Sequence, residues 1–250
     1  MDYESRITSH ESRLPLVLLP GLLCDHALWE PQIAALSEIC VPWVADLTRD
    51  DSIAAMAARV LAEAPAQQFA LAGLSMGGYI AMEIVRQAPE RVMRLALLDT
   101  RATLDTPEET ARRHELMRLA QTERGFTPVT TRLLPLLVHP ARVAHEPLVR
   151  VIREMAERVG VEAYLRNQQA IMSRPDFRVQ LPRIGCSTLV LCGREDALTP
   201  LEMHEEMVRL IATARLVVIE RCGHLSTLER PLQVNTALRN WLAPDPLRML

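Results

Sequence analysis

The chain has 250 residues, of which 49% are hydrophobic and 24% charged. Those proportions belong to globular proteins and exclude a disordered chain. All 28 basic residues are Arg and the formal net charge is -3, which excludes the lysine of a P-loop or of a Schiff-base enzyme and the basic excess of a nucleic-acid binder.

The first 13 residues mix Asp2, Glu4 and Glu11 with Arg6 and Arg13. They do not form the positive start of a targeting segment. Residues 14–20 read as a buried strand, and the apolar run that continues to residue 23 is too short to span a bilayer. Residues 31–39 read as a helix and 41–46 as a second strand. An Ala-rich helix follows at 52–64, with Asp50 or Asp51 placed to cap it. Residues 69–74 form a third strand, 76–87 a helix and 94–99 a fourth strand. Strands apolar on both faces that alternate with helices predict a parallel sheet covered on both sides.

From residue 106 to residue 173 no strand-like run occurs. Helical stretches at 108–121, 127–138, 146–159 and 162–172 are separated by turn signals at Gly125, His139-Pro140 and Gly160. The strand pattern returns at 187–192, a helix falls near 200–212, a last strand at 215–220 and a last helix at 231–242. An inserted helical block of this kind predicts a cap, residues 104–177, over one edge of a core made of residues 1–103 and 178–250.

The sharpest chemical signal is Gly73-Leu74-Ser75-Met76-Gly77, a G-x-S-x-G run between a predicted strand and a predicted helix. An abrupt strand-to-helix turn leaves no room for side chains beside the serine. It lifts the hydroxyl to a helix N-terminus, where backbone N–H groups favour a developing negative charge. A serine nucleophile needs a base, and the base an orienting acid. Such partners belong at the C-terminal ends of later strands. Asp196 follows one such end in Gly193-Arg194-Glu195-Asp196, and His224 the next in Cys222-Gly223-His224. Asp99, which ends the fourth strand, is the competing candidate for the acid. Glu195 reads as a bystander.

With Leu18-Leu19-Pro20-Gly21, Gly73-Leu74-Ser75-Met76-Gly77-Gly78, Pro89-Glu90-Arg91-Val92, Gly193-Arg194-Glu195-Asp196 and Gly223-His224 on the page, the chain resembles the α/β-hydrolase superfamily. Within it the sequence is similar to the esterase, lactonase and peroxidase-like group with a small cap. The resemblance implies Ser75 as nucleophile, His224 as general base and Asp196 as its acid. It also implies an oxyanion hole made by the backbone N–H of Met76 and that of Leu22, with Leu23 the alternative. Relatives often carry His-Gly after the first strand where this chain has Pro20-Gly21, so one side-chain brace is lost and the backbone donor stays.

The expected fold is therefore α/β, a mainly parallel sheet of about six strands flanked by helices with an inserted helical cap. The expected activity is hydrolysis of a carboxylic ester of a small or medium hydrophobic acyl group through an acyl-enzyme. Lactone opening or carbon–carbon bond hydrolysis by the same triad is the alternative, and a non-catalytic receptor a more distant one. Leu23, Phe126 and Tyr164 are the expected pocket residues. Arg153, Arg158 and Arg166 read as solvated helix faces that can also admit an acidic substrate, and Tyr79 as packed under the nucleophile's helix. The cysteines, Cys24, Cys40, Cys186, Cys192 and Cys222, form no close CxxC pair and read as small buried hydrophobes. His114-Glu115 begins like a zinc motif, but Arg118 stands where the second histidine is needed. No cofactor or metal, no nucleic acid and no membrane partner is expected. The expected location is cytoplasmic and the expected state a monomer or homodimer.

Overall fold

The computed structural model describes residues 13–122 and 127–243. β1 (Leu14–Leu19), β2 (Cys40–Val44), β3 (Phe69–Leu74), β4 (Val92–Leu98), β5 (Ser187–Gly193) and β6 (Ala214–Ile219) form one sheet in the order β2-β1-β3-β4-β5-β6. Every neighbouring pair is parallel. Side chains alternate across a strand, and that period sorts the two cores. Leu16, Leu18, Ala70, Ala72 and Leu98 face α1 (Glu30–Leu36) and α9 (Pro231–Leu242). Val17, Leu19, Leu71, Leu95 and Leu97 face α2 (Ile53–Glu63), α3 (Met76–Gln87) and α7 (Leu201–Leu210). A sheet buried on both faces is why β3 carries no polar residue at all.

Between β4 and β5 lie α4 (Pro107–Ala120), α5 (Thr127–Leu137) and α6 (Glu146–Met172). Thr106 opens α4 with a capping box, its side chain bonded to the N–H of Glu109 while the Glu109 carboxylate accepts from the N–H of Thr106. The helices expected at 146–159 and 162–172 meet at Gly160, whose φ of 78° and ψ of 163° suit glycine alone. Leu116, Ala120, Val129, Ala156 and Tyr164 bury a small cluster against Leu23, so these helices rest on the loop after β1.

Two local expectations change, and one short helix is added. The helix expected at 31–39 stops at Leu36, where the Ser37 hydroxyl donates back to the Ile33 carbonyl at 2.6 Å. The cap of α2 is Ser52, whose Oγ accepts from Ala55 N at 3.2 Å, rather than Asp50 or Asp51. Asp50 is engaged by Arg59 at 2.6 Å instead. The four-residue α8 (Ser226–Glu229) is too short to announce itself by periodicity. Among the described residues, no helix is long and apolar enough to cross a membrane.

Candidate active site

β3 ends at Leu74 and α3 begins at Met76, which leaves Ser75 alone at the turn with φ 55° and ψ -113°. A β-carbon on Gly73 would lie 2.2 Å from the Gly77 carbonyl oxygen, and one on Gly77 would lie 2.2 Å from that of Leu19. The two glycines are therefore demanded by space. The strained serine is held by its own N–H to the Leu98 carbonyl at 3.0 Å and by the Thr100 hydroxyl, which donates to its carbonyl at 2.8 Å.

Five loops at the C-terminal end of the sheet converge on this serine, as they do in parallel sheets generally. Ser75 Oγ lies 2.9 Å from Nε2 of His224, and Nδ1 of His224 lies 2.8 Å from Oδ2 of Asp196. With Nδ1–H given to the carboxylate, Nε2 is left as the acceptor for the serine O–H. Asp196 also accepts from Thr199 Oγ1 at 2.6 Å and from the N–H groups of Leu198 and Thr199, both at 2.9 Å. Burial works to raise the Asp196 carboxyl, but the histidine and these donors hold it below its ordinary value. Burial works to lower the His224 imidazole, but the Asp196 charge and hydrogen bond raise it above its ordinary value.

Asp99 does not replace Asp196 at the imidazole. Its Oδ1 accepts from Gly193 N at 3.0 Å, and its Oδ2 accepts from Ser226 N at 3.3 Å and from Ser226 Oγ at 2.5 Å. One buried carboxyl thus ties the loop that carries Asp196 to the loop that carries His224. Burial and the nearby Asp196 charge push it well above the usual carboxylate range. Glu195 is also a brace, since its Oε2 accepts from Cys222 N at 2.9 Å. Glu229 accepts from Gly223 N at 2.7 Å and from His139 N at 2.9 Å, linking the histidine loop to the segment after α5.

The loop after β1 passes beside the serine. A β-carbon on Gly21 would sit 3.5 Å from Ser75 Cβ. Among the described residues, the N–H groups of Leu22, Leu23 and Met76 donate to no protein acceptor, as a site for a negative oxygen requires. Asp25 caps the short 3-10 turn His26–Trp29 through Ala27 N at 2.9 Å and receives Arg158 from α6 at 2.6 Å. Arg158 lies on an exposed helix face as expected, and its guanidinium ties that face to the loop. Arg166 likewise donates to the Thr48 carbonyl at 3.0 Å. His26 is exposed and faces Glu30 at 3.4 Å.

A cavity of about 90 Å³ lies against Ser75 and His224. Leu22, Leu23, Leu116, Leu133 and Leu198 supply apolar wall, and Arg101, Glu109, Arg112, Arg113 and Gln168 supply polar wall. Leu23 stands where the pocket expectation put it. Tyr164 does not: it is wholly buried behind the wall, and its hydroxyl accepts from Gln168 Nε2 at 2.8 Å, with Gln168 reaching the cavity in its place. Phe126 lies outside the described residues. Tyr79 is packed in the core as expected, and it also lines the cavity and stacks under Arg174, 4.4 Å from its guanidinium carbon. Sequence reading missed Arg101 and Arg113. Their one signal was Arg101, Asp105, Glu109 and Arg113 recurring at every fourth position. It also missed His204, whose Nε2 accepts from Thr100 N at 3.0 Å and whose imidazole burial pushes down to about 4. Cys24 reaches the cavity, but burial raises its thiol to about 12, which leaves little nucleophilic thiolate. Among the described residues, no cluster of His, Cys, Asp and Glu has the makings of a metal site.

This sheet order, with a serine elbow after β3 and its partners after β5 and β6, defines an α/β-hydrolase. Residues 15–231 match the family model described as alpha/beta hydrolase fold, and the chain belongs to that family. It is 27% identical over 235 residues to the pimeloyl-[acyl-carrier protein] methyl ester esterase of Nitrosomonas europaea, covering 87% of this chain and 91% of that protein. It is similar to the structure of a thermophilic esterase from Thermogutta terrifontis, malate bound, at 30% identity and a TM-score of 0.83, covering 92% of this chain and 89% of that one. It is also similar to the enol-lactonase from Burkholderia xenovorans LB400, at 26% identity and a TM-score of 0.85, covering 94% and 93%.

Proposed function

We propose that this chain hydrolyses carboxylic esters with a short acyl group, through an acyl-enzyme on Ser75. The carrying observation is the unbroken hydrogen-bonded chain from Ser75 Oγ to His224 Nε2 at 2.9 Å and from His224 Nδ1 to Asp196 Oδ2 at 2.8 Å. In this reading His224 takes the serine proton as Oγ attacks the ester carbonyl. Asp196 holds the imidazole in the tautomer that can accept it and stabilises the imidazolium that forms. The N–H groups of Leu22 and Met76 receive the negative oxygen of the tetrahedral intermediate. His224 then protonates the leaving alcohol, and later activates the water that releases the acid.

The cavity favours small acyl groups. An apolar cavity of about 150 Å³ takes a benzene ring, and this one measures about 90 Å³. A lactone is the second reading, favoured by the likeness to an enol-lactonase along nearly the whole of both chains.

The test is initial hydrolysis of p-nitrophenyl acetate, butyrate and longer esters by the wild-type chain and by Ser75→Ala. Cleavage is expected, with kcat reduced roughly 10⁴- to 10⁶-fold in the variant. The acid limb of kcat/KM should lie above pH 6.5, the ordinary value from which His224 is raised, because only the neutral imidazole is a base. Activity retained by Ser75→Ala would remove the serine from the mechanism.

A further inference from the structure

The apolar part of the cavity accounts for an acyl chain, but its other end is lined by three arginines against a single carboxylate. That carboxylate, Glu109, is already taken by Arg101 through two contacts of 2.8 Å. Asp105, behind the wall, is shared by Arg101 at 2.5 Å, Arg113 at 2.6 Å and Arg174 at 2.8 Å. The cluster therefore holds more guanidinium than carboxylate. Arg101 is 3% exposed, and its two terminal nitrogens are taken by Glu109 and Asp105. Arg113 is aimed by Gln168, whose Oε1 accepts from it at 2.8 Å. Arg112 is exposed at the rim and has no ion-pair partner among the described residues. Net positive charge and guanidinium planes at the wall suit a carboxylate, which takes such forks with two oxygens. A cation would be repelled here.

We propose that this end of the cavity is an anion subsite for a carboxylate at the far end of the acyl group, so that the substrates are half-esters of short dicarboxylic acids. The substrate class rests on the esterase reading above; the subsite itself does not. Arg101 stands next to Thr100, whose hydroxyl bonds to the Ser75 carbonyl at 2.8 Å. In a cavity of about 90 Å³ the carboxylate is then only a few atoms from the scissile carbonyl, which favours malonyl to glutaryl groups.

The experiment measures binding, using the Ser75→Ala chain so that nothing is turned over. Monomethyl succinate is titrated calorimetrically against methyl 4-methylpentanoate, which has the same shape with an isopropyl group in place of the carboxylate. The half-ester is expected to bind at least about tenfold more tightly, as charge-assisted hydrogen bonds in a desolvated site imply. The gap should narrow several-fold in Arg101→Gln and in Arg112→Gln. Should Arg101→Gln fail to fold, Arg112→Gln carries the test, since Arg112 is exposed and holds nothing together. Equal affinities, or a gap unchanged in the folded arginine variants, would overturn the subsite. Turnover of p-nitrophenyl acetate by the wild-type chain separates the two ideas. A binding gap without turnover supports the subsite and sinks the esterase reading, and turnover without a gap does the reverse.

Discussion

At the scale of single residues, two buried aspartates compete for one histidine, and geometry separates them. Asp196 Oδ2 touches the imidazole, whereas Asp99 bonds to Gly193 and Ser226 on either side of it. Asp99 is also pushed well above the usual carboxylate range by burial and by Asp196, so an amide there removes little charge and costs one of the two N–H contacts. Asp99→Asn is therefore expected to lower kcat less than about tenfold, as the loss of a positioning contact. Asp196→Asn should cost on the order of 10³- to 10⁴-fold, because the imidazole then turns to the wrong tautomer. Equal losses in steady-state rates on p-nitrophenyl acetate would make Asp99 a second acid of the site. Ser75, Asp196 and His224 were legible as candidates because each follows a strand end, and a nucleophile elbow leaves glycines as its mark. What Asp99 and Glu229 do was not legible. A carboxylate that braces two loops leaves no spacing in the sequence, since its partners are backbone N–H groups.

At the scale of elements, the strands and the helices packed on them were readable from apolar runs and caps. The segment between β4 and β5 was readable only as helices. Apolar periodicity does not reveal that Asp105, just before α4, is bonded to Arg113 of α4 and to Arg174 beyond α6. Burial works against the ionised Asp105, but its arginines hold its carboxyl far below the ordinary value of 3.8. Removing one member of such a buried set costs about 3–5 kcal/mol, because the remaining charges are stranded. Asp105→Asn should then lower the melting temperature by about 10 °C at neutral pH. The sign of the pH dependence follows from the depressed value. The stabilisation is fully present above pH 3.8 and is lost as pH falls below it toward the folded-state value. Melting scans at pH 7, 5 and 3.5 should show the wild-type advantage over Asp105→Asn holding and then shrinking. An advantage constant across that range would mean that Asp105 acts through shape and not through charge.

At the scale of the whole molecule, the cavity exists only where the sheet end meets the helices inserted after β4. Leu22 and Leu198 come from loops of the core, and Leu116 and Leu133 from α4 and α5. On the proposed reading, acyl length is thus set by the distance between two layers, which no local pattern encodes. For that reason the sequence supported only a small or medium acyl group. Leu116 is the informative position, because it is 5% exposed, packs on Leu23 and Tyr164 and also lines the cavity. Truncating it to Ala opens space contiguous with the acyl site and removes packing worth about 2–5 kcal/mol. Two effects should therefore appear together. The melting temperature should fall, and the optimum along a p-nitrophenyl ester series should move from the shortest acyl groups to ones longer by two to four carbons. A stability loss with an unmoved optimum would mean that the acyl group extends along another wall. An unmoved optimum on neutral esters beside a lost preference for half-esters would locate that wall at the arginines.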